Sequence, residues 1–197
     1  MKTTLSFLVF ILLMNTTTEN RTSNFTKAKV SYSDFETLVK KVKKHRKKRL
    51  INCREFLEKS QEDNVIILDT RSKDMYDKKH VKGAVHLNFS DFTQDNLAKI
   101  IPDLNTTILI YCNNNFDGDE IHFASKVALP KQVIKQQEKE KQRAITLALN
   151  IPTYINLYGY GYKNVYELSE LISRYDQRIA YEGTTILSLT ENNQKTK

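Results

Sequence analysis

Cys112 is the residue whose type and position point most directly to chemistry. It follows the largely apolar residues 107–111 and precedes the polar residues 113–119. A thiol at the carboxyl end of a buried strand lies where open α/β sheets bind ligands, and where the amino termini of helices favour anions. Free cysteine is also among the most buried residue types, so an inert core thiol is the competing interpretation. The pattern around Cys112 favours a nucleophile.

The segments before Cys112 alternate between helical and strand periods. The predicted strands are apolar on both faces, which is typical of a parallel sheet that is covered by helices on both sides. The sequence therefore predicts an α/β fold. Helices are predicted over residues 31–49, 52–57, 72–79 and 92–101, and strands over residues 65–68, 83–87 and 107–111.

The chain after Cys112 is less regular. A helix is expected from Asp119 until Pro130 ends it. The charged residues 129–143 are rich in Lys, Gln and Glu and are interpreted as an insertion. Residues 178–183 predict a small edge strand, and residues 184–197 a flexible tail.

The tyrosine-rich segment near the end of the chain has two interpretations. Either residues 161–168 form the last core strand, or residues 155–159 do. We prefer the second, which places a strand over residues 152–157 and a closing helix over residues 165–172. The reason is that the apolar residues of the later segment keep helical spacing.

Composition describes a globular chain with a targeting signal at its amino end. The 197 residues are 40% hydrophobic and 27% charged, which argues against a disordered or fibrous protein. A lysine precedes the apolar residues 5–14 and polar residues follow them, as in a signal peptide. We expect residues 1–20 to direct export, to the periplasm or by secretion; a membrane anchor at residues 5–14 is the alternative. A polar linker, residues 21–30, then leads to one domain over residues 31–183.

Much of the net charge of +8 comes from residues 40–49, where eight of ten residues are Lys or Arg. The simplest interpretation is a solvated face of the helix over residues 31–49. An acidic partner and an anionic membrane surface are both open as binding partners. No aromatic residue interrupts the run and no base-reading motif accompanies it, so we expect no specific nucleic acid binding.

Three blocks of sequence resemble the rhodanese-like family, and they occur in the family's order. Residues 67–71 are similar to its first core strand, which ends in Asp-x-Arg. Residues 76–87 resemble its block of Tyr followed by Gly-His-Ile-x-Gly-Ala, with Lys79 in place of the usual glycine. Residues 108–112 resemble the strand that delivers the active cysteine. The three blocks lie within the span of a single domain.

The resemblance implies a central five-stranded parallel sheet with helices on both faces. It implies that Cys112 is the catalytic residue of a sulfurtransferase, which takes sulfane sulfur from a small donor as a persulfide and passes it to a thiol acceptor. Asp69 and Arg71 are expected to form supporting hydrogen bonds beneath the site, and His80 to be a structural hydrogen-bonding residue. No cofactor is expected, and no residues show the spacing of metal ligands.

The six residues after Cys112 would bind the substrate in this interpretation. Their backbone N–H groups are expected to curl around the sulfur as an anion nest, helped by the helix that begins near Asp119. Asparagine tolerates a positive φ better than most residues, so the three asparagines are expected to replace glycines. These six residues are Asn113, Asn114, Asn115, Phe116, Asp117 and Gly118.

The loop departs from the family in its charge. No Lys or Arg occurs between Cys112 and Lys126. This argues against the phosphatase branch of the superfamily, because a phosphate dianion needs an arginine fork, and it leaves the sulfur donor open. Two other functions are open as well. One is a catalytically lapsed domain that binds a ligand or partner through the same loop, and the other is a redox pair of Cys53 and Cys112.

Overall fold

The computed structural model describes residues 29–117, 148–173 and 176–185, and within them a parallel sheet with helices on both faces. The strands are β1 (Leu50–Ile51), β2 (Val65–Asp69), β3 (His80–Val81), β4 (Val85–His86), β5 (Thr107–Ile110), β6 (Val165–Leu168) and β7 (Tyr181–Glu182). The helices are α1 (Tyr32–Lys47), α2 (Cys53–Lys59), α3 (Lys73–Lys78), α4 (Gln94–Ile100) and α5 (Asn150–Gly159).

The main sheet has five parallel strands in the order β1-β6-β5-β2-β4. Strand β5 lies at its centre, where Ile108 is in register with Ile66 of β2 and with Val165 of β6. All five strands run in the same direction, so their carboxyl ends meet at one edge of the sheet. The predicted five-stranded parallel α/β fold is confirmed.

Side chains that alternate along the strands form two hydrophobic clusters, one on each face of the sheet. Ile108 and Ile110 of β5 belong to the cluster covered by α1, α4 and α5. Leu109 and Tyr111 belong to the other cluster, which includes Phe56 of α2. Strand β5 is thus buried on both faces, which explains why its sequence is apolar without alternation.

The helices before Cys112 begin at residues that can cap them. Asn52 accepts a hydrogen bond from the Glu55 N–H, and the Glu55 side chain accepts one from the Asn52 N–H, so α2 begins with a capping box. Ser72 accepts a hydrogen bond from the Met75 N–H at the start of α3, and Thr93 accepts one from the Asn96 N–H at the start of α4. The predicted helices lie where expected, with bounds shifted by a few residues.

The prediction for the last part of the domain is wrong. Residues 152–157 were predicted as a strand but belong to α5, and the helix predicted over residues 165–172 begins instead as strand β6. Residues 161–168 therefore contain the last core strand, as in the alternative that we did not prefer. Because side chains on both faces of β6 are buried, its sequence has the same apolar spacing as a helix. The pairing of β6 with β5 and β1 identifies it as a strand.

Three short strands complete the described fold. Strand β1 was not predicted, because its two residues directly follow the long helix α1. Strands β3 and β7 pair antiparallel as a separate two-stranded sheet, in which His80 is opposite Glu182. Strand β7 lies within the edge strand that was predicted over residues 178–183.

Several predictions concern residues outside the described parts of the chain. They are the signal peptide or anchor over residues 1–20, the helix from Asp119, the insertion over residues 129–143 and most of the tail from residue 184. Among the described residues, no helix has both the length and the apolar character needed to cross a membrane.

Candidate active site

Cys112 lies at the carboxyl edge of the sheet, two residues beyond the end of β5. The residue is only 4% exposed, and its thiol is free. Its backbone is extended, and the following residues, Asn113–Asn115, form one 3-10 turn. Because β5 is central, Cys112 lies between the carboxyl ends of β2 and β6, where ligands of parallel sheets bind.

A buried ion pair at the end of β2 holds this turn. Arg71 donates from Nε and Nη2 to the Asp69 carboxylate, with N–O distances of 2.7–3.1 Å. Its Nη1 donates to the Asn113 Oδ1 atom at 2.5 Å, and its Nη2 also donates to the Lys79 carbonyl at 2.7 Å. Burial disfavours the charge on Arg71, but the hydrogen bonds and the attraction of Asp69 outweigh it and raise the pKa of Arg71.

The cation that is missing from the loop sequence is therefore supplied by a distant segment. Arg71 is bound to the residue next to Cys112, and it lies close enough for the charge of a Cys112 thiolate to act on it. Asp69 balances most of that charge within the pair. The site thus has a fixed guanidinium beside the thiol and little net positive charge.

Tyr111 joins the ion pair to the second hydrophobic cluster. Its hydroxyl donates to Asp69 Oδ2 at 2.5 Å and accepts from the Val81 N–H at 3.1 Å. Burial raises the pKa of Tyr111 well above its ordinary value, and the Asp69 charge raises it further. Tyr111 was not predicted to belong to the site, although a phenol directly before the candidate nucleophile could have indicated this role.

Asn115 ties the Cys112 turn to β6. Its Oδ1 accepts a hydrogen bond from the Cys112 N–H at 3.0 Å. Its Nδ2 donates to the Leu168 carbonyl at 2.8 Å and to the Glu170 carbonyl at 3.3 Å. The Ile172 N–H donates to the Asn115 carbonyl at 2.7 Å. The side chain of Asn115 therefore fixes Cys112 by bridging the ends of two neighbouring strands.

Three backbone N–H groups in the described part of the turn have acceptors other than the Cys112 sulfur, whereas Gly118 and the helix from Asp119, which belong to the predicted anion nest, lie outside the described residues. The backbone N–H groups of Asn115, Phe116 and Asp117 donate to the carbonyls of Cys112, Asn113 and Ile172, and the Cys112 N–H donates to Asn115. Among the described non-glycine residues, only Asn64 has a positive φ. The asparagines of the turn thus act through their side-chain amides and a right-handed turn, and the expectation of a positive φ was wrong.

A family comparison covers the residues of this site. The model of the rhodanese-like domain matches residues 52–177, which is more than half of the chain. The chain belongs to the rhodanese-like domain family. The matched residues contain the Asp69–Arg71 pair, Cys112 and β6, which are the parts that form the site.

Solved structures similar to this rhodanese-like chain share little sequence with it. An E. coli rhodanese with anions is 17% identical, with a TM-score of 0.35, covering 61% of this chain and 99% of its own. A polysulfide-sulfur transferase homodimer from Wolinella succinogenes is 16% identical, with a TM-score of 0.40, covering 74% of this chain and 91% of its own. A comparison with curated proteins gives no match.

The predicted substrate-binding loop of the rhodanese-like domain divides into buried and exposed residues. Asn113, Asn115 and Phe116 are buried, and their contacts hold the turn in place. Asn114 and Asp117 are exposed. Gly118 lies outside the described residues. Of the described loop residues, Asn114 and Asp117 are therefore the ones whose side chains are accessible to a substrate.

His80 is held by contacts away from Cys112. Its Nδ1 lies 2.7 Å from the Tyr76 carbonyl, and its ring stacks on the Tyr76 ring with centroids 3.8 Å apart. Its Nε2 lies 3.6 Å from Glu182 on β7. These contacts connect α3 to the two-stranded sheet, which is a structural task.

Cys53 is the second free thiol, at the first turn of α2. It is fully buried, and burial raises the pKa of its thiol. Strand β6 lies between β1 and β5, the strands that lead to Cys53 and Cys112. Both thiols are free in this structure. The strands that they follow are not neighbours in the sheet. In the parts of the chain that the structure describes, no group of His, Cys, Asp and Glu side chains could hold a metal ion.

Proposed function

We propose that this rhodanese-like protein is exported and carries sulfane sulfur as a persulfide on Cys112. The observation that carries the proposal is the position of the Cys112 thiol, at the carboxyl end of the central strand, in a turn that a buried arginine holds. A thiolate is the reactive form of cysteine, and a neighbouring guanidinium favours it. Arg71, which binds the side chain of Asn113, is the guanidinium next to Cys112.

The proposed reaction moves one sulfur atom without a net change in oxidation state. The Cys112 thiolate attacks the outer sulfur of the donor, so that a new S–S bond forms on Cys112. The donor's own bond to that sulfur breaks, and the leaving group departs with the electron pair. An acceptor thiolate then attacks the outer sulfur of the persulfide and regenerates the Cys112 thiolate.

The charges around Cys112 favour a donor that does not require a strongly cationic cradle. Asp69 neutralises Arg71, Asp117 is exposed at the end of the turn, and several backbone N–H groups of the turn already have acceptors. A dianion such as thiosulfate would therefore find few free donors among the described residues. A protein persulfide or a small persulfide suits this site better.

Sulfur loading of single-cysteine variants tests this proposal. The full chain is incubated with thiosulfate, mercaptopyruvate or polysulfide, and the mass of each cysteine-containing peptide is measured. We expect one added sulfur on Cys112 with at least one donor, retained in Cys53→Ala and lost in Cys112→Ala. Equal loading of wild type and Cys112→Ala with every donor would overturn the proposal.

Export is the part of the proposal that rests on the sequence of residues 1–20. The apolar residues 5–14 behind a lysine support it. Expression of the full chain with cell fractionation and sequencing of the mature amino terminus tests it. A protein found in the cytosol with residues 1–20 intact would refute export while leaving the Cys112 chemistry untouched.

A catalytically lapsed domain that binds a partner through the Cys112 turn is the second candidate. The low exposure of Cys112 and the occupied N–H groups of the turn favour it. Cys112→Ser separates the two candidates, because it keeps the shape of the turn but removes sulfur transfer. Retention of the biological role by this variant would favour the binding module. A redox pair would instead show a disulfide between Cys53 and Cys112 in a non-reducing mass measurement of exported protein.

A further inference from the structure

Helix α1 presents a row of lysines to solvent. Its apolar residues Leu38, Val39 and Val42 pack into the core on the side of α5. Within the basic run, Arg46 turns inward to an ion pair with the buried Glu167 of β6, and His45 contacts Tyr154. The remaining lysines project from roughly the opposite half of the helix. They are Lys40, Lys41, Lys43, Lys44 and Lys47, and together with the exposed Lys48, which directly follows the helix, we call them the lysine face.

The lysine face lacks the acidic partners that other exposed helices of this chain have. On α3, Lys73 pairs with Asp77 and Lys78 pairs with Asp74. On α2, the two basic residues likewise have Glu partners within one turn. On the lysine face, by contrast, only Lys40 forms an ion pair within the described residues. A solvated helix face needs no such excess of one sign.

The positive potential of this surface extends to neighbouring groups. Burial lowers the pKa of Lys163, which precedes β6, and the nearby charge of Lys41 lowers it further. Burial, Arg49 and Lys163 likewise lower the pKa of His45. The favourable dipole at the carboxyl end of a helix stabilises cations only in the last turn. Lys40, Lys41 and Lys43 lie before that turn, so the dipole does not account for them.

The amino end of the same helix exposes large aromatic side chains. Tyr32 is 81% exposed and Phe35 is 51% exposed. At about 100° per residue, Tyr32 lies beside Lys43 at the edge of the lysine face, whereas Phe35 lies on the side of Val42. An aromatic ring beside a lysine-rich helix face is typical of helices that lie at the interface between a membrane and water. Soluble polyanions offer no apolar layer to such rings.

We propose that the lysine face of α1, with Tyr32, binds the surface of an anionic lipid bilayer. The lysine charges complement the negative lipid head groups, and the Tyr32 ring enters the interfacial layer. Helix α1 lies over one face of the sheet, and the Cys112 turn lies at its carboxyl edge. The binding therefore needs no part of the Cys112 chemistry.

Vesicle binding of charge variants tests the proposal. The full chain is sedimented with vesicles of phosphatidylglycerol and phosphatidylcholine, and with vesicles of phosphatidylcholine alone. The ratio of the two partition constants isolates the electrostatic part, because residues 5–14 contribute to both. The α1 variant replaces Lys41, Lys44 and Lys48 with Gln. The control variant replaces the exposed Lys73, Lys82 and Lys99 with Gln, which removes the same charge.

We expect the ratio of partition constants to be about 100-fold lower for the α1 variant than for the wild type, because each lysine near an anionic surface contributes about fivefold. The control variant should lose far less, and added salt should weaken the binding of the wild type. Tyr32→Ser should weaken binding to the anionic vesicles without changing its salt dependence. Equal losses in the α1 and control variants would overturn the proposal. So would binding to duplex DNA that depends on the lysine face while binding to vesicles does not.

Discussion

Arg71 and Asn113 are 42 positions apart in the sequence, and a hydrogen bond of 2.5 Å joins the guanidinium of one to the side-chain oxygen of the other. This contact connects the end of β2 to the residue that follows Cys112. It places a permanently charged group next to the candidate nucleophile, and Asp69 keeps that group in position. We therefore expect the proposed chemistry of Cys112 to depend on a residue from another strand.

Removal of the Arg71 side chain should damage both stability and thiol reactivity. Arg71→Gln leaves the buried Asp69 carboxylate without its cation, which costs about 3–5 kcal/mol of unfolding free energy. Cys112 also loses the guanidinium beside it, so alkylation of Cys112 by iodoacetamide in the folded protein at neutral pH should slow. Urea denaturation and alkylation of the folded protein measure the two effects.

Lys73→Gln is the matched control for Arg71→Gln. Lys73 is exposed and paired with Asp77 on the surface, so its loss should change stability by less than about 1 kcal/mol. Arg71→Lys keeps the charge, but its compact ammonium does not reproduce the planar fork that reaches both Asp69 and Asn113. Its loss of stability should therefore be smaller than that of Arg71→Gln and larger than that of Lys73→Gln. A wild-type alkylation rate in folded Arg71→Gln would contradict the role of Arg71.

Neighbouring asparagines in the turn should respond very differently to alanine. Asn115→Ala removes the acceptor of the Cys112 N–H and the donor to the Leu168 carbonyl, and we expect a loss of about 2–4 kcal/mol. Asn114 is exposed, so Asn114→Ala should cost less than about 0.5 kcal/mol. Thermal denaturation of the two variants measures the difference. Similar losses would show that Asn115 does not bridge the strands.

Tyr111→Phe should lower the free energy of unfolding by about 1–3 kcal/mol at neutral pH, because Asp69 and the Val81 N–H each lose a hydrogen-bond partner. The pKa of Tyr111 is raised in the folded protein, so the unfolded chain ionises first, and wild type should lose stability as the pH rises above about 10. The stability of Tyr111→Phe should decrease less than that of the wild type in this pH range.

Tyr162→Phe serves as the control for Tyr111→Phe. The Tyr162 hydroxyl donates to the Ile101 carbonyl, away from the site. This variant should lose stability but keep the wild-type rate of Cys112 alkylation, whereas Tyr111→Phe should change that rate. The same alkylation rate in both variants would argue against a role for Tyr111 at the site.

His45 should make the stability of the domain depend on pH near neutrality. The Tyr154 hydroxyl donates to the Val165 carbonyl, so His45 Nδ1 is the donor in its contact with Tyr154 at 2.9 Å. The pKa of His45 is lowered by burial and by the charges of Arg49 and Lys163. The unfolded chain then binds a proton more readily, so stability should decrease as the pH falls through about 6.5.

Comparison with His45→Gln isolates this contribution. The difference in unfolding free energy between wild type and variant should be largest above pH about 7 and should shrink as the pH is lowered. Denaturant titrations at several pH values measure it. A difference that stays constant across this range would show that His45 is not the group responsible.

Local patterns in the sequence predicted the fold and the position of the candidate nucleophile. The apolar run before Cys112 and the blocks around Asp69 and His80 predicted a parallel sheet with the thiol at its edge. The same kind of pattern failed for α5 and β6, because a strand buried on both faces and a helix are equally apolar. Pairing of Val165 with Ile108 settled the assignment, and pairing is a long-range property.

By itself, then, the sequence determined that Cys112 ends a buried strand of an α/β domain and that its loop carries no cation. Only the tertiary structure decided that Arg71 supplies the charge, and that Asn115 acts by bridging strands instead of adopting a positive φ. The physical reason is the range of the interactions. Apolar runs and helix caps are set by residues a few positions apart, whereas the contacts that hold Cys112 join segments about 40 to 60 positions apart.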